Sequence, residues 1–453
     1  MLPSMEADMG TKHIALLLLI PLMAVPASWT QASAQVLDKE EKQAVVARAG
    51  ELLTERYIYP DRAEKAKARI TQALANGDYE TITDPASFAA KLTSDLQSVT
   101  LDKHMKVFVL TPNPAPAPVS ASPPPRTNGG FAAVDRLKGN IGYIKLNGFP
   151  PIGPFQPVAD QAMADLADTE ALIIDLRENG GGDPESVAYL CSFFFDPRKP
   201  VHINDLVWRN PGTSTYRREE FWTKSVPVFY KKPVYLLSSS KTFSGGEEFL
   251  YDLKTQKRAK LIGQLTGGGA NPGGAPPVNA RFAFFIPGGR AENPITKTNW
   301  EGTGVAPDIA VAPEHALRVA MLEITGDKRL ASETPVEANA FDPVRLLKFR
   351  DGPQPGGAEA LKRLLEQTAM GKPDYANMSE GLAKAVREQL SKTQADLAAL
   401  GQIKSVTFQN IGPAGLDVYE VVCANGKLIS GIFLSPDGKI ATNWLRLMPA
   451  SAR

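Results

Sequence analysis

The segment Ser238–Leu253, SSSKTFSGGEEFLYDL, joins two contrasting patterns. The run PVYLLSS before it (residues 233–239) is almost continuously apolar, as in a strand covered on both faces. The run GGEEFLYDLKTQ after it (residues 245–256) has helical spacing. A glycine pair is a poor start for a helix unless the backbone must approach something closely. Ser244, which precedes this pair, is therefore either a helix N-cap or a nucleophile presented at a turn.

The alternation of strands and helices extends from residue 129 to about residue 330. The predicted strands IGYIKL, EALIIDL, PVYLLSS, AKLIGQ and ARFAFFIP are interleaved with the predicted helices FQPVADQAMADLAD, PESVAYLCSFFF and GGEEFLYDLKTQ. This order predicts an α/β fold with a largely parallel sheet. Because sites in such sheets form where loops leave the carboxyl ends of strands, the loops after EALIIDL and PVYLLSS are the leading candidates.

The N-terminus reads as a secretory signal peptide over residues 1–34. Basic Lys12 precedes an apolar run that extends to about Ala27, and small residues favour cleavage after Ala34. The apolar run is short for a membrane span and contains two prolines. We therefore expect an exported protein, periplasmic or secreted, with no stable membrane span after removal of the signal peptide.

The rest of the chain divides by composition into structured parts and linkers. The predicted parts are an N-terminal helical domain (36–110), a Pro-rich linker (111–128), the α/β core (129–330), a second linker (331–356) and a C-terminal α+β domain (357–453). In the last part, two amphipathic helices precede strands that turn at Asn425-Gly426 and Asp437-Gly438, both strong hairpin signals.

Composition limits the possible classes of function. The 453 residues carry a net charge of +1, so no strong field attracts nucleic acid or an anionic membrane. Cys191 and Cys423 lie in apolar contexts and in different predicted domains, so both are expected to be free and buried. No Cys-x-x-Cys motif or His/Cys cluster predicts a zinc site, and we expect no metal or other cofactor.

The loop after EALIIDL contains three successive glycines, Gly180–Gly182, which follow Asp175 and Arg177. Such a sequence allows backbone N–H groups to point into one space and to stabilise an anion or an oxyanion. A P-loop is disfavoured because G-x-x-x-x-G-K-[ST] is missing. A flexible turn remains the alternative, and Arg177 is expected to be structural, pairing with Asp175 or a glutamate, rather than to bind substrate.

A serine nucleophile requires a base beside it. After removal of the signal peptide the histidines are His104, His202 and His315, and Lys241 lies close to Ser244 in the sequence. The residue pattern alone does not choose among these four side chains.

Four motifs in this order resemble the tail-specific (C-terminal-processing) serine peptidase family: LIIDLRENGGG, SSSKTFSGGEEF, GQLTGGGANPGG and NPITKTNWEGTGVAPDI. The resemblance covers roughly residues 40–325 and is greatest to the branch that includes tricorn-type peptidases and interphotoreceptor retinoid-binding protein. It implies a crotonase-like (ClpP/crotonase) core and peptide or protein substrates. The final domain weakly resembles a cystatin- or NTF2-like accessory fold.

The resemblance also implies a catalytic site. The family serine matches Ser244, and the histidine and glutamate of the tricorn-type branch match His104 and Glu301. Asp102 is the runner-up for the carboxylate that orients the histidine. A lysine base is not expected, because the position that carries it in other members reads TGGGAN here.

The implied oxyanion hole consists of the N–H of Gly245 and that of Gly181 or Gly182. Glu247 and Glu248, in the first turn of the following helix, are read as favourable charges at a helix N-terminus rather than as catalytic groups. The linker is too short for a PDZ module, so recognition of a free carboxylate is not implied.

Two other functions remain open beside a serine peptidase. The relatives that bind retinoids imply that the same fold can carry an apolar ligand, and the runs LCSFFFDP and RFAFFIP are candidates to line its pocket. A catalytically idle scaffold with a partner-binding C-terminal domain is the other alternative.

Overall fold

The computed structural model describes residues 36–110, 127–331 and 334–448. The predicted signal peptide (1–34) and most of the predicted linker 111–128 lie outside these residues. Within the described part of the chain, no helix combines the length and apolarity that a membrane span requires. Cys191 and Cys423 are free and buried, as predicted.

The secondary-structure elements are numbered in chain order. The α-helices are α1 Lys39–Arg56, α2 Pro60–Ala75, α3 Pro85–Thr100, α4 Ile152–Asp165, α5 Pro184–Ser192, α6 Gly245–Thr255, α7 Pro313–Thr325, α8 Gly357–Ala369 and α9 Glu380–Leu400. The β-strands are β1 Lys106–Val109, β2 Phe131–Leu137, β3 Ile141–Leu146, β4 Ala171–Asp175, β5 His202–Arg209, β6 Tyr216–Trp222, β7 Val234–Ser238, β8 Lys260–Gly263, β9 Gly273–Gly274, β10 Phe282–Pro287, β11 Gly289–Glu292, β12 Ile309–Ala310, β13 Val344–Arg345, β14 Ile403–Ile411, β15 Asp417–Cys423, β16 Lys427–Leu434 and β17 Ile440–Met448.

A seven-stranded sheet of order β12-β8-β7-β4-β3-β2-β13 forms the centre of the fold. The five strands from β12 to β3 are parallel, and β2 and β13 add antiparallel pairs at one side. Every residue of β4 is buried, because α4, α5 and α6 cover one face of the sheet and α7 covers the other. The mixed α/β fold is therefore confirmed. Since β4 and β7 are neighbours, the loops that follow them lie side by side.

The N-terminal helices pack against a strand of the core. Asp38 and Asp84 accept hydrogen bonds from the backbone N–H groups of Glu41 and Ser87, both at 2.7 Å, and so cap α1 and α3. The sequence ARFAFFIP, read as one more strand of the α/β alternation, instead forms β10, which pairs antiparallel with β1 outside the large sheet. This pairing brings the turn between α3 and β1 onto the core.

The C-terminal part is an antiparallel sheet of order β14-β15-β16-β17 with α8 and α9 packed against it. Asn425-Gly426 joins β15 to β16, and Asp437-Gly438 joins β16 to β17, so both predicted hairpins are confirmed. Arg350, which precedes α8, donates to the buried carboxylate of Asp417 at 2.8 Å.

A hairpin that the sequence analysis did not predict consists of β5 and β6 and forms a small antiparallel sheet with β11. Strand β6 lies at the edge of this sheet, and its residues alternate between exposed and half-buried. The hairpin contributes part of the wall of the cavity beside Ser244.

Candidate active site

Ser244 lies at a sharp turn between β7 and α6. Its backbone dihedral angles are φ 53° and ψ −124°, a combination that non-glycine residues rarely adopt. The turn is fixed from the side of β4, because the hydroxyls of Ser239 and Thr242 donate to the carbonyls of Arg177 and Leu176. A strained strand-to-helix turn of this kind exposes a serine hydroxyl above the sheet in α/β-hydrolases.

The glycine loop Gly180–Gly182 packs directly against this turn. A methyl group on Gly181, whose φ is 97°, would lie 2.7 Å from both the Ser244 Cβ and the Gly245 nitrogen. The N–H of Gly181 donates to the Asn179 Oδ1 at 2.8 Å. In contrast, the N–H groups of Gly182 and Gly245 have no acceptor among the described residues. Of the two predicted donors in the loop, only Gly182 therefore has a free N–H.

The carboxylate of Glu247 holds the serine turn and a neighbouring loop together. It is fully buried and accepts from the Ser244 N–H at 3.0 Å and the Thr266 hydroxyl at 2.5 Å. It also accepts from the N–H groups of Gly268 and Gly269 at 2.6 and 2.8 Å. The sequence analysis read Glu247 only as a favourable charge at a helix N-terminus. It missed this role because the loop partners lie about twenty residues further along the chain.

We expect Glu247→Ala to destabilise the protein by about 3–5 kcal/mol, because it leaves buried donors without an acceptor. The variant also frees the Ser244 turn, so activity should fall with stability. Urea denaturation of the purified protein measures the first effect. Glu178→Ala is the matched control, since Glu178 is exposed and only pairs with Lys241 at the surface. Equal unfolding midpoints for the two variants would contradict this role of Glu247.

His104 lies in the turn between α3 and β1 and reaches the cavity that contains Ser244. Its ring packs on Phe243, with the ring centroids 4.5 Å apart, and lies 6.0 Å from Phe285. The cavity has a volume of about 560 Å³ and is also lined by Gly182. The β1–β10 pairing thus brings the predicted base to the predicted nucleophile across two parts of the chain.

Two carboxyl groups flank His104. Asp102, His104 and Glu301 lie close together: one side-chain nitrogen or carboxylate oxygen of each residue lies within 4.8 Å of the corresponding atoms of the other two. Asp102 is satisfied by hydrogen bonds: its Oδ1 accepts from the His104 N–H, and its Oδ2 from Asn271 Nδ2 and the Tyr57 hydroxyl. Glu301 Oε2 accepts from the Ala270 N–H at 2.6 Å.

Two atoms of this group remain without partners. His104 Nδ1 and Glu301 Oε1 are both buried and have no hydrogen-bond partner among the described residues. Asp102 instead anchors the backbone of the turn that carries His104. The arrangement therefore leaves Glu301 as the carboxyl with a free oxygen for the imidazole.

Burial sets the protonation states here. Desolvation lowers the pKa of His104 to about 4, so the imidazole is neutral at pH 7. Burial, together with the nearby negative charge of Asp102, raises the pKa of Glu301 to about 8. Desolvation also raises the pKa of Asp102, against the hydrogen bonds from Asn271 and His104. At neutral pH the imidazole has a free lone pair, and Glu301 is mostly protonated.

The other candidate bases lie outside this arrangement. Lys241 is exposed and pairs with Glu178 at 3.1 Å. The His202 Nε2 lies 2.6 Å from Asp205, and its ring stacks on Trp222. Arg177 makes a bidentate ion pair with Asp175, which confirms its predicted structural role.

Six phenylalanine and tryptophan side chains line the cavity, and one of them, Phe285, lies in the run RFAFFIP that the sequence analysis named as a candidate pocket wall. Trp208, Phe221 and Trp222 come from the β5–β6 hairpin, and Phe285 comes from β10. In the run LCSFFFDP, Cys191 and the phenylalanines that follow it are instead packed in the core around α5. The adjacent aromatic residues Phe221 and Trp222, which follow the charged run RREE in β6, were the available signal for this wall.

Two protein-family models match this chain. A family model described as peptidase family S41 matches residues 140–311. A second model, the N-terminal domain of Peptidase_S41 in eukaryotic IRBP, matches residues 32–130. Together the two models span more than half of the chain.

Similar solved structures include a predicted peptidase from Parabacteroides merdae, with 15% identity, coverage of 65% of this chain and 99% of that chain, and a TM-score of 0.48. The photosystem II D1 C-terminal processing protease has 14% identity over 60% of this chain and 94% of its own, with a TM-score of 0.40. The tricorn protease has 13% identity over 64% of this chain and 37% of its own, with a TM-score of 0.40. On the evidence of the two family models, the chain belongs to peptidase family S41 and is a serine peptidase.

Proposed function

We propose that the protein is an exported peptidase that hydrolyses peptide bonds through an acyl-enzyme, with Ser244 as nucleophile, His104 as base and Glu301 as orienting carboxylate. The observation that carries this proposal is that Ser244, His104 and Gly182 line one cavity, while His104 Nδ1 and Glu301 Oε1 lack partners. Export is proposed from the signal-like residues 1–34.

The proposed chemistry follows from these groups. Ser244 Oγ attacks the scissile carbonyl carbon while His104 Nε2 takes the hydroxyl proton. The oxygen of the tetrahedral intermediate accepts hydrogen bonds from the N–H groups of Gly182 and Gly245. His104 then protonates the leaving amine, and the reverse sequence with water releases the acid. Glu301 accepts from His104 Nδ1 and stabilises the imidazolium.

The cavity supports a peptide substrate in extended conformation. Every residue from 219 to 224 lines the cavity. In a β-strand, however, successive side chains point to opposite faces of the sheet. A cavity lying over one face would touch every second residue, so this one runs along the open edge of β6. An extended peptide there has backbone groups to pair with, and the aromatic walls accommodate a bulky apolar side chain.

The domain architecture is part of the same proposal. Residues 36–110 would form a helical domain that supplies His104, residues 129–330 a crotonase-like core, and residues 357–453 a cystatin- or NTF2-like accessory domain. A separate hydrophobic cluster in the C-terminal part supports this division, whereas the cluster of the helical part also includes Phe282, Phe284 and Ile286 of β10.

The direct test is covalent labelling with a fluorophosphonate probe. The folded wild type should be labelled at Ser244, as located by peptide mass spectrometry, and heat-denatured protein should not react. Absence of labelling in well-folded protein, or equal labelling of Ser244→Ala, would overturn the proposal.

The oxyanion hole leads to a prediction for Gly181→Ala. Because the new methyl would clash with the Ser244 Cβ, it should push the loop away and remove the Gly182 donor. Loss of one such donor lowers kcat by about 10²–10³-fold. Gly180→Ala is the matched control, since nothing lies within 4 Å of a methyl there. Steady-state kinetics that gave the same loss for both variants would contradict this assignment.

The aromatic walls favour a second candidate function, the binding of an apolar ligand. Organic extraction of the purified protein followed by mass spectrometry tests it. A stoichiometric lipid in both the wild type and Ser244→Ala, without probe labelling of the wild type, would favour this alternative.

A further inference from the structure

The atoms around His104 also have the composition of a metal site. His104 Nδ1, Glu301 Oε1 and Asn271 Oδ1 are buried polar atoms without partners among the described residues. Asn271 is 1% exposed and donates from its amide nitrogen to Asp102. Three buried polar atoms without partners in one small region, two of them oxygens that only accept, point to a missing donor or cation.

We propose that Asp102, His104 and Glu301 bind a divalent transition-metal ion, with Zn²⁺ as the best match, and that the ion blocks the peptidase. The metal site is independent of the proposed function, whereas inhibition by the metal rests on the proposed peptidase mechanism. One ligand atom from each residue already lies within 4.8 Å of the others. Ligands at about 2.1 Å from Zn²⁺ are about 3.4 Å apart in a tetrahedron, so shifts of about 1 Å would close the site.

The local charge favours a cation. Asp102 and Glu301 form no ion pair with a lysine or arginine in the part of the chain that the structure describes. Of the nearest basic residues, Lys103 donates to the Gly267 carbonyl and Arg62 to the Thr100 carbonyl. A divalent ion would therefore add positive charge at a place where Arg62 and Lys103 act only from a distance.

The ligand types select the metal. One imidazole nitrogen and two carboxylate oxygens suit Zn²⁺, whereas Mg²⁺ and Ca²⁺ prefer oxygen-only shells with more ligands. Asp102 Oδ1 accepts a single hydrogen bond, from the His104 N–H, and keeps lone-pair capacity for a metal. Of the three ligand residues, His104 also lines the open cavity.

Metal binding and catalysis exclude each other at one atom. The proposed mechanism needs His104 Nδ1 to donate to Glu301, and the bound metal would occupy that nitrogen. The sequence did not predict this site, because Glu301 joins Asp102 and His104 from a distant part of the chain.

Isothermal titration of Zn²⁺ into the full chain carrying Ser244→Ala tests the site without turnover. We expect one ion per chain, and we expect His104→Ala or Glu301→Gln in that background to weaken binding at least about tenfold. His202→Ala is the matched control, because His202 and Asp205 form a similar pair outside the cavity. Absence of saturable binding, or binding that only His202→Ala abolishes, would overturn the proposal.

A second measurement separates the block from the binding. Zn²⁺ should slow fluorophosphonate labelling of wild-type Ser244 over the concentration range of the titration, and EDTA should restore it. Saturable binding with unchanged labelling would overturn the proposed block. If the probe does not label wild-type protein in the absence of metal, the peptidase mechanism is contradicted. The calorimetric titration then still tests whether the metal site exists.

Discussion

Replacing Ser244 with alanine is expected to lower kcat/KM by at least about 10⁴-fold without unfolding the protein. The loss follows because no acyl-enzyme can form when the hydroxyl is absent. The remaining rate would come from the oxyanion hole and from substrate positioning. The effect is large because Ser244, His104 and Glu301 are proposed to act as one unit.

The fold should tolerate this change for a local reason. Alanine keeps the Cβ, so the strain at φ 53° is the same as with serine. The backbone N–H still donates to Glu247, and the hydroxyls of Ser239 and Thr242 still tie the turn to the segment after β4. Thermal melting should therefore give nearly the same midpoint for variant and wild type.

Ser240→Ala is the matched control, because Ser240 is exposed in the same turn. It should retain wild-type hydrolysis of a peptide library. A Ser244→Ala protein that melts normally and still cleaves the library at the wild-type rate would refute the role of Ser244, provided that probe labelling excludes a contaminating peptidase.

Local sequence patterns predicted the elements that form the centre of the fold. The apolar runs of β4 and β7 predicted buried parallel strands, because strands covered on both faces have little need for polar residues. Both lie in the large sheet, and the loops after them meet. Asp84, which opens the segment DPASFAAKLTSDLQSV, caps α3 because capping is local, whereas Asp61, which opens DRAEKAKARITQALANG, does not cap α2.

The β5–β6 hairpin escaped prediction because its pattern depends on tertiary contacts. Strand β6, YRREEFW, carries charges on its exposed side and contributes Glu219 and Phe221 to the cavity wall. Strand β10 was predicted as a strand of the large sheet, but it pairs with β1 and β9 outside that sheet. Its partner β1 comes from a distant segment, and no local pattern specifies such a pairing.

The candidate site depended still more on distant contacts. Spacing alone did not choose among the three histidines, and the family resemblance indicated His104. The roles of Glu247 and Asn271 could not be predicted, because their partners are loops brought together only by folding. Those contacts are specified by the packing of the whole core.

Variants of the three residues around the imidazole should differ widely in activity. His104→Ala should lose about 10⁴–10⁶-fold in kcat/KM because no base remains. Glu301→Gln should lose up to about 10⁴-fold, since an amide does not stabilise the imidazolium and can favour the wrong tautomer. Asp102→Asn should lose only about tenfold, because Asp102 bonds to backbone and neighbours rather than to the ring, and one weakened hydrogen bond costs about 0.5–1.5 kcal/mol.

The pH profile distinguishes an orienting Glu301 from a merely structural one. Protonated His104 has no lone pair, so kcat/KM should fall as the pH falls through the His104 pKa of about 4. Because only ionised Glu301 stabilises the imidazolium, kcat/KM should rise further as the pH rises through the Glu301 pKa of about 8. Glu301→Gln should lose this second rise, and Asp102→Asn should retain it. A single rise near the ordinary histidine pKa of about 6.5, unchanged in Glu301→Gln, would remove Glu301 from the mechanism.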